Sequence, residues 1–192
     1  RILEPKELQV NLELCKKDFR SDWDAISMGY SVFDQLPPDF ASFLIATVAE
    51  KVAAQNEVAI WRGADGTDGS FNGFGTLIAL DAALPQAQEI AAVGGGVLAS
   101  NVVVELQKIV AQIPQEIYGS ADGMIYVAPN IYRAYIQALG TLGYVDKFNN
   151  QTLGNLVIDG VPIVMTNGLA ANTAIFAEKS NLWFGTGLFN DT

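Results

Sequence analysis

The sequence predicts an α+β fold, and three observations carry that reading. One segment, about residues 38–58, repeats apolar side chains at three- and four-residue steps over a length unusual for a small chain. Short alternating or uniformly apolar runs bounded by Gly, Pro, Asn and Asp stand before and after it. Between residues 101 and 140 two further helical patterns flank a short buried strand, with no repeat period and no low-complexity tract.

Leu8, Val10, Leu12 and Leu14 alternate with Gln9, Asn11 and Glu13, the pattern of a strand with one dry and one wet face. Phe19, Trp23 and Ile26 then fall at helical steps within Asp18–Met28, and Gly29 closes that segment. Pro37-Pro38-Asp39 is a helix opening, because proline tolerates the first turn and an acid there complements the dipole. The helix predicted from Pro38 to Val58 carries Phe40, Phe43, Leu44, Thr47, Val48 and Val52 on one face. Its rise of 1.5 Å per residue gives a rod of about 30 Å. From Gly63 to Gly75, seven glycines and aspartates read as turns. Gly94-Gly95-Gly96 reads as a flexible connection, and Ser100 or Asn101 as the cap of a second helix that Pro114 stops. Met124–Val127 reads as a buried strand and Pro129 as the start of a third helix, with Gly140 at its C-terminal cap. Leu156-Val157-Ile158 and Val161–Met165 around Asp159-Gly160 predict a hairpin, in which Pro162 should face an unpaired side. Ala174–Ala177 and Leu182–Gly185 read as two more strands.

Composition excludes several classes of function. The 192 residues carry 21 acids against 11 Lys and Arg, a formal charge of -10, and half of them are hydrophobic. Sequence-independent nucleic-acid binders need a basic surplus to displace counterions, and anionic membrane surfaces need one too. Neither specific nucleic-acid binding nor membrane association is expected, and no apolar run approaches the roughly 20 residues of a membrane span. Histidine is absent, which removes hydrolases with an imidazole base and histidine-ligated zinc. Cys15 is the single cysteine, so no internal disulfide forms. It reads as a small residue closing the first strand rather than a reactive thiol.

Each candidate chemical motif has a simpler explanation. The Gly63–Gly75 stretch lacks the Gly-x-x-x-x-Gly-Lys-Ser/Thr pattern of a phosphate loop and follows a helix instead of joining a strand to one. A calcium loop at Asp65-Gly66-Thr67-Asp68 would need Glu at its twelfth place, where Thr76 stands. Asp22/Asp24 and Asp65/Asp68 lie in polar segments where nothing would raise a carboxyl pKa. Tyr126, Tyr132, Tyr135 and Tyr144 gather around the third helix and read as packing rather than a stacking platform. No catalytic, cofactor-binding or metal-ligating residue is assigned, and no cofactor is expected.

The collinear order of these cues resembles the major capsid proteins of tailed bacteriophages, whose Hong Kong-type shell fold is shared with encapsulins. The resemblance rests on the alternating strand, the long helix, Ala59-Ile60-Trp61-Arg62-Gly63 … Gly66 … Phe71-Asn72-Gly73-Phe74, and Met124-Ile125-Tyr126-Val127-Ala128-Pro129-Asn130. Asp159-Gly160-Val161-Pro162-Ile163-Val164 and Ala174-Ile175-Phe176 … Trp183-Phe184-Gly185 complete it. It implies residues 1–17 in an extended loop, a peripheral domain of residues 18–84 and 156–192 with the spine helix and an antiparallel sheet, and a mixed α/β axial domain of residues 85–155. Leu8, Val10, Leu12 and Leu14 would then form a subunit-contact strand lying across a neighbour. The family's N-terminal arm and a last peripheral strand would belong before Arg1 and after Thr192, so the chain is expected to be trimmed at both ends.

The function implied is structural and non-enzymatic. It is a phage or prophage shell subunit that self-assembles into capsomer rings and an icosahedral head, made in the bacterial host cytoplasm and residing in the virion. Scaffold, protease and portal proteins are the partners such a subunit meets. An acidic inner wall would repel DNA and let it slide. An encapsulin-like compartment shell is the alternative within the fold. A small α/β enzyme or ligand-binding protein using Gly63–Gly75 is the alternative outside it.

Overall fold

The computed structural model describes residues 40–66, 71–91, 93–144 and 156–185. The expected strand at residues 8–14, with Leu8, Val10, Leu12 and Leu14, and the expected helix at residues 18–28 lie outside them. Helix α1 runs Phe40–Arg62, four residues beyond the predicted end, so Ala59-Ile60-Trp61-Arg62 belongs to the helix. The sequence places no breaker before Gly63, whose N–H still bonds to the Ala59 carbonyl at 2.9 Å. After the turn, Phe74–Leu80 forms a short helix, α2, which starts inside the stretch read as turns and continues through residues for which no element was expected.

Helix α3 (Val102–Ala111), strand β1 (Gly123–Val127) and helix α4 (Pro129–Thr141) follow, then β2 (Leu156–Ile158), β3 (Val161–Met165) and β4 (Ala174–Glu178). Leu182–Gly185 is not a strand. A 3-10 turn at Lys179–Asn181 ends β4, and the chain beyond it pairs with no strand among the described residues. The four strands make one mixed sheet in the order β2-β3-β1-β4, with β1 parallel to β3 and antiparallel to β4. This is compatible with the α+β class. The sheet draws β1 from residues 85–155 and its other strands from residues 156–192, so it spans the division expected at residue 155.

Asp159 (φ 46°) and Gly160 (φ 83°) turn the β2–β3 hairpin in the left-handed region that a two-residue connection requires. The closing pair Ile158/Val161 exchanges both hydrogen bonds, so the next pair, Val157/Pro162, exchanges none. Pro162 therefore aims its nitrogen toward β1, but that ladder starts one residue later at Ile163, and no rung is lost.

Helix α4 ends past Gly140. The Tyr144 N–H reaches the Leu139 carbonyl and the Gly143 N–H reaches that of Gly140, a Schellman closure with Gly143 at φ 89°. Asn101 likewise does not cap α3 through its side chain. Its Oδ1 accepts from Leu98 N–H at 2.8 Å and its Nδ2 donates to the Gly96 carbonyl at 3.2 Å, fastening the turn before the helix.

Strand alternation divides the core in two. On one face Ile125, Val127 and Ile163 pack with Val102 and Leu106 of α3 and Ile131, Tyr135 and Ala138 of α4. On the other, Tyr126, Met124, Val164 and Ile175 meet Trp61 at the end of α1 and Leu169. Ile125, Val127, Val102 and Leu106 are almost fully enclosed, each contributing about 1.5–3 kcal/mol relative to an exposed side chain.

Candidate functional site

Main chain packs closely at the joint between the last turn of α1 and the sheet. Trp61 is 6% exposed and lies between two rings, Phe74 at 5.5 Å edge-on and Tyr126 at 5.2 Å tilted. Four glycines let main chain approach this turn. A β-carbon on Gly63 would lie 2.5 Å from the Ala59 oxygen, on Gly73 2.6 Å from the same atom, and on Gly75 2.8 Å from the Trp61 oxygen. On Gly168, after β3, it would lie 2.2 Å from the Glu57 oxygen and 2.6 Å from Trp61 Cδ1. The Gly73 N–H donates to the Gly63 carbonyl at 2.9 Å, and the Thr76 hydroxyl donates to the same oxygen at 2.7 Å. Gly63, Gly73 and Gly75 thus serve close approach of backbone, whereas Gly66 stands at φ 114°. Sequence reasoning singled out Gly63–Gly75 but missed Gly168, whose signal is a lone glycine between β3 and Leu169.

A second joint ties the Gly94-Gly95-Gly96 connection to the sheet. Asn172, at φ 62°, accepts from Val97 N–H at 3.0 Å and from Asn130 Nδ2 at 2.8 Å, and its own N–H donates to Asn130 Oδ1 at 3.2 Å. The connection expected to be flexible is thus held by a side chain 75 residues away in sequence.

Among the described residues, charged groups are not gathered into a reacting set. Lys108 Nζ and the buried Glu105 carboxylate bond at 2.7 Å on consecutive turns of α3. Asp65 and Asn72 join in a turn through the Asp65 N–H and Asn72 Oδ1 at 2.8 Å; Asp22, Asp24 and Asp68 lie outside the described residues. Tyr126, Tyr132 and Tyr135 are core side chains, as the packing reading expects, while Tyr144 is exposed. Burial pushes the Tyr126 phenol up. Burial first, then the charges of Asp159 and Tyr144, pushes up that of Tyr135, which donates to the Val157 carbonyl at 2.9 Å. A shallow depression bordered by Ile113, Tyr118, Val161, Pro162 and Phe176 has no acid, lysine or arginine in its lining. The Tyr118 hydroxyl there is already bonded to the Asp159 carbonyl at 2.7 Å. Among the described residues no three His, Cys, Asp or Glu gather to hold a metal ion, and no helix is long and apolar enough to cross a membrane.

Among the described residues, exposed large apolar side chains are scattered over the chain, and three segments carry two of them close together in sequence. Leu77 and Leu80 share one face of α2, Leu142 and Tyr144 stand together after α4, and Trp183 and Phe184 follow the last 3-10 turn. Trp183 is 73% exposed, although tryptophan is highly buried on average. Phe184 leans on Phe71 at 5.9 Å, tying this segment to the loop after α1. Single exposed apolar residues are ordinary; these three segments each carry two. Leu8, Val10, Leu12 and Leu14, the contact strand expected from the sequence, lie outside the described residues. No protein-family model matches the chain, and no curated protein matches it.

Proposed function

We propose that this chain is a major capsid protein of a tailed phage or prophage, a structural subunit that self-assembles into the shell around a DNA genome. The observation that carries the reading is the distribution of exposed apolar pairs, Leu77/Leu80, Leu142/Tyr144 and Trp183/Phe184, over separate segments instead of one cleft. A ring subunit offers one patch to the next copy and a different patch to the previous one, so its contacts are spread in this way. The glycine-lined joint at Trp61 supports the same reading. It seats the last turn of a long helix against a sheet, a contact that would help a tile in a curved lattice keep its angles. The net charge of -10 suits a wall that repels packed DNA.

The test is electron microscopy of the complete gene product expressed alone, together with light scattering. Closed particles or sheets of rings are the expected result. A monomer that persists at high concentration and turns over a small molecule would overturn the reading.

A further inference from the structure

The two edges of the sheet differ in a way that singles one out. At β2 the strand is three residues long, and its outward residue is Val157, because Leu156 and Ile158 face β3. The Val157 carbonyl is already taken by the Tyr135 hydroxyl at 2.9 Å. That edge is short, and one of the two outward groups it shows is already committed.

At β4 the opposite holds. The flanking bonds Ala128 N–H to Thr173 carbonyl and Lys179 N–H to Asp122 carbonyl fix the phase of the β1–β4 ladder. Ile175 and Ala177 therefore face β1, while Ala174, Phe176 and Glu178 direct their backbone groups away from the sheet. Among the described residues, the N–H and C=O of Ala174 and Phe176 and the N–H of Glu178 have no hydrogen-bond partner. Unpaired strand edges of this kind are templates for another strand.

The geometry points to a second copy of this chain as the occupant, with β4 pairing antiparallel to β4 about Phe176. In that register Phe176 faces Phe176 of the second copy and exchanges two N–H···O bonds with it. The Glu178 N–H meets the Ala174 carbonyl at each end. Five residues therefore complement themselves by two-fold symmetry, the requirement for an isologous contact. Charge does not oppose it: Glu178 lies opposite Ala174, and the two Glu178 carboxylates stand about 13 Å apart along the strands, beyond the screening length at physiological salt. On the face shared with α3 and α4, the paired Phe176 rings would extend the core across the junction. The result is one continuous eight-stranded sheet, β2-β3-β1-β4 with its symmetric copy. The inference stands apart from the shell reading, although joining rings to one another calls for a contact of this symmetry in addition to those within a ring.

Glu178→Pro tests it. Glu178 sits at φ -75° and ψ 131°, which proline adopts without strain, and its N–H has no partner among the described residues. The substitution deletes one donor per copy and thrusts a ring into the edge, while Glu178→Ala keeps the donor and removes the charge. The wild-type chain should self-associate with concentration in light scattering. Amide exchange at Phe176 and Glu178 should slow at least about tenfold on association, and Glu178→Pro should weaken association about tenfold or more, with Glu178→Ala near wild type. Association of Glu178→Pro equal to wild type, or Phe176 exchange independent of concentration, would overturn the inference. Particles that assemble without protecting Phe176 defeat the edge pairing and leave the shell reading standing. Protected dimers that never grow larger do the reverse.

Discussion

Gly168→Ala is the substitution on which the description of the helix–sheet joint depends. A β-carbon there would stand 2.2 Å from the Glu57 carbonyl oxygen, 2.6 Å from Trp61 Cδ1 and 2.9 Å from the Glu57 carbonyl carbon. An ordinary carbon–oxygen contact needs about 1 Å more, and two of the obstacles are backbone of a helix that cannot bend locally without losing hydrogen bonds. Relief comes from lifting α1 off the segment after β3, which loosens Trp61 between Phe74 and Tyr126. Overpacking of this kind costs about 1–3 kcal/mol, and the partial loss of tryptophan burial adds to it. Full burial of that ring is worth about 5 kcal/mol at ~200 Å² and ~25 cal/mol/Å², which caps the added part. We expect about 3 kcal/mol of destabilisation, lowering the thermal midpoint by about 6–12 °C for a chain of this size. The assay is urea unfolding followed by tryptophan fluorescence and far-ultraviolet circular dichroism. Gly94→Ala is the control, since a β-carbon there meets nothing within 4 Å. It should be neutral or slightly stabilising, by up to about 1 kcal/mol. Gly168→Ala unfolding within about 0.5 kcal/mol of wild type, with an unchanged Trp61 environment, would refute the close-approach argument.

Three further predictions probe other joints. Asn172→Ala removes two accepted hydrogen bonds and puts an ordinary residue at φ 62°; it should cost about 2–3 kcal/mol and speed Val97 amide exchange at least about tenfold, with Asn172→Gly recovering about 1 kcal/mol. Tyr135→Phe should cost about 1 kcal/mol by freeing the Val157 carbonyl, read from the urea midpoint. Because the folded state holds the Tyr135 phenol above its ordinary value of 10.0, its contribution is complete below pH 10 and lost as pH rises through the folded-state value. Wild-type stability should therefore fall above pH 10, less steeply in Tyr135→Phe, and a steeper fall in the variant would contradict the assignment. Gly160→Ala, at φ 83° in the hairpin, should destabilise by about 1 kcal/mol in the same unfolding assay.

Local chemistry made much of the fold legible. Asp159-Gly160 announces its hairpin because few residue pairs accept two positive φ angles, and Pro129 announces a helix start because its missing N–H has no partner to lose. Helix ends were harder to read. Gly140 resembled a cap, yet the helix passes through it and closes at Gly143, since a glycine inside a helix costs about 1 kcal/mol and packing of Tyr135 and Ala138 outweighs that. Leu182–Gly185 has strand composition but no neighbour to pair with among the described residues, and β-propensity reports surroundings more than backbone preference.

By itself, the sequence determined the approximate places of α1, α3, α4 and the four described strands, and which chemistries lack their residues; these depend on neighbours a few positions apart. Tertiary structure decided that Gly168 and Gly73 meet the same turn of α1, that Asn172 holds Gly96-Val97, and that β4 lies at an edge of the sheet among the described strands. Those facts join residues up to 111 positions apart, and no local periodicity encodes a distance that only the folded chain closes.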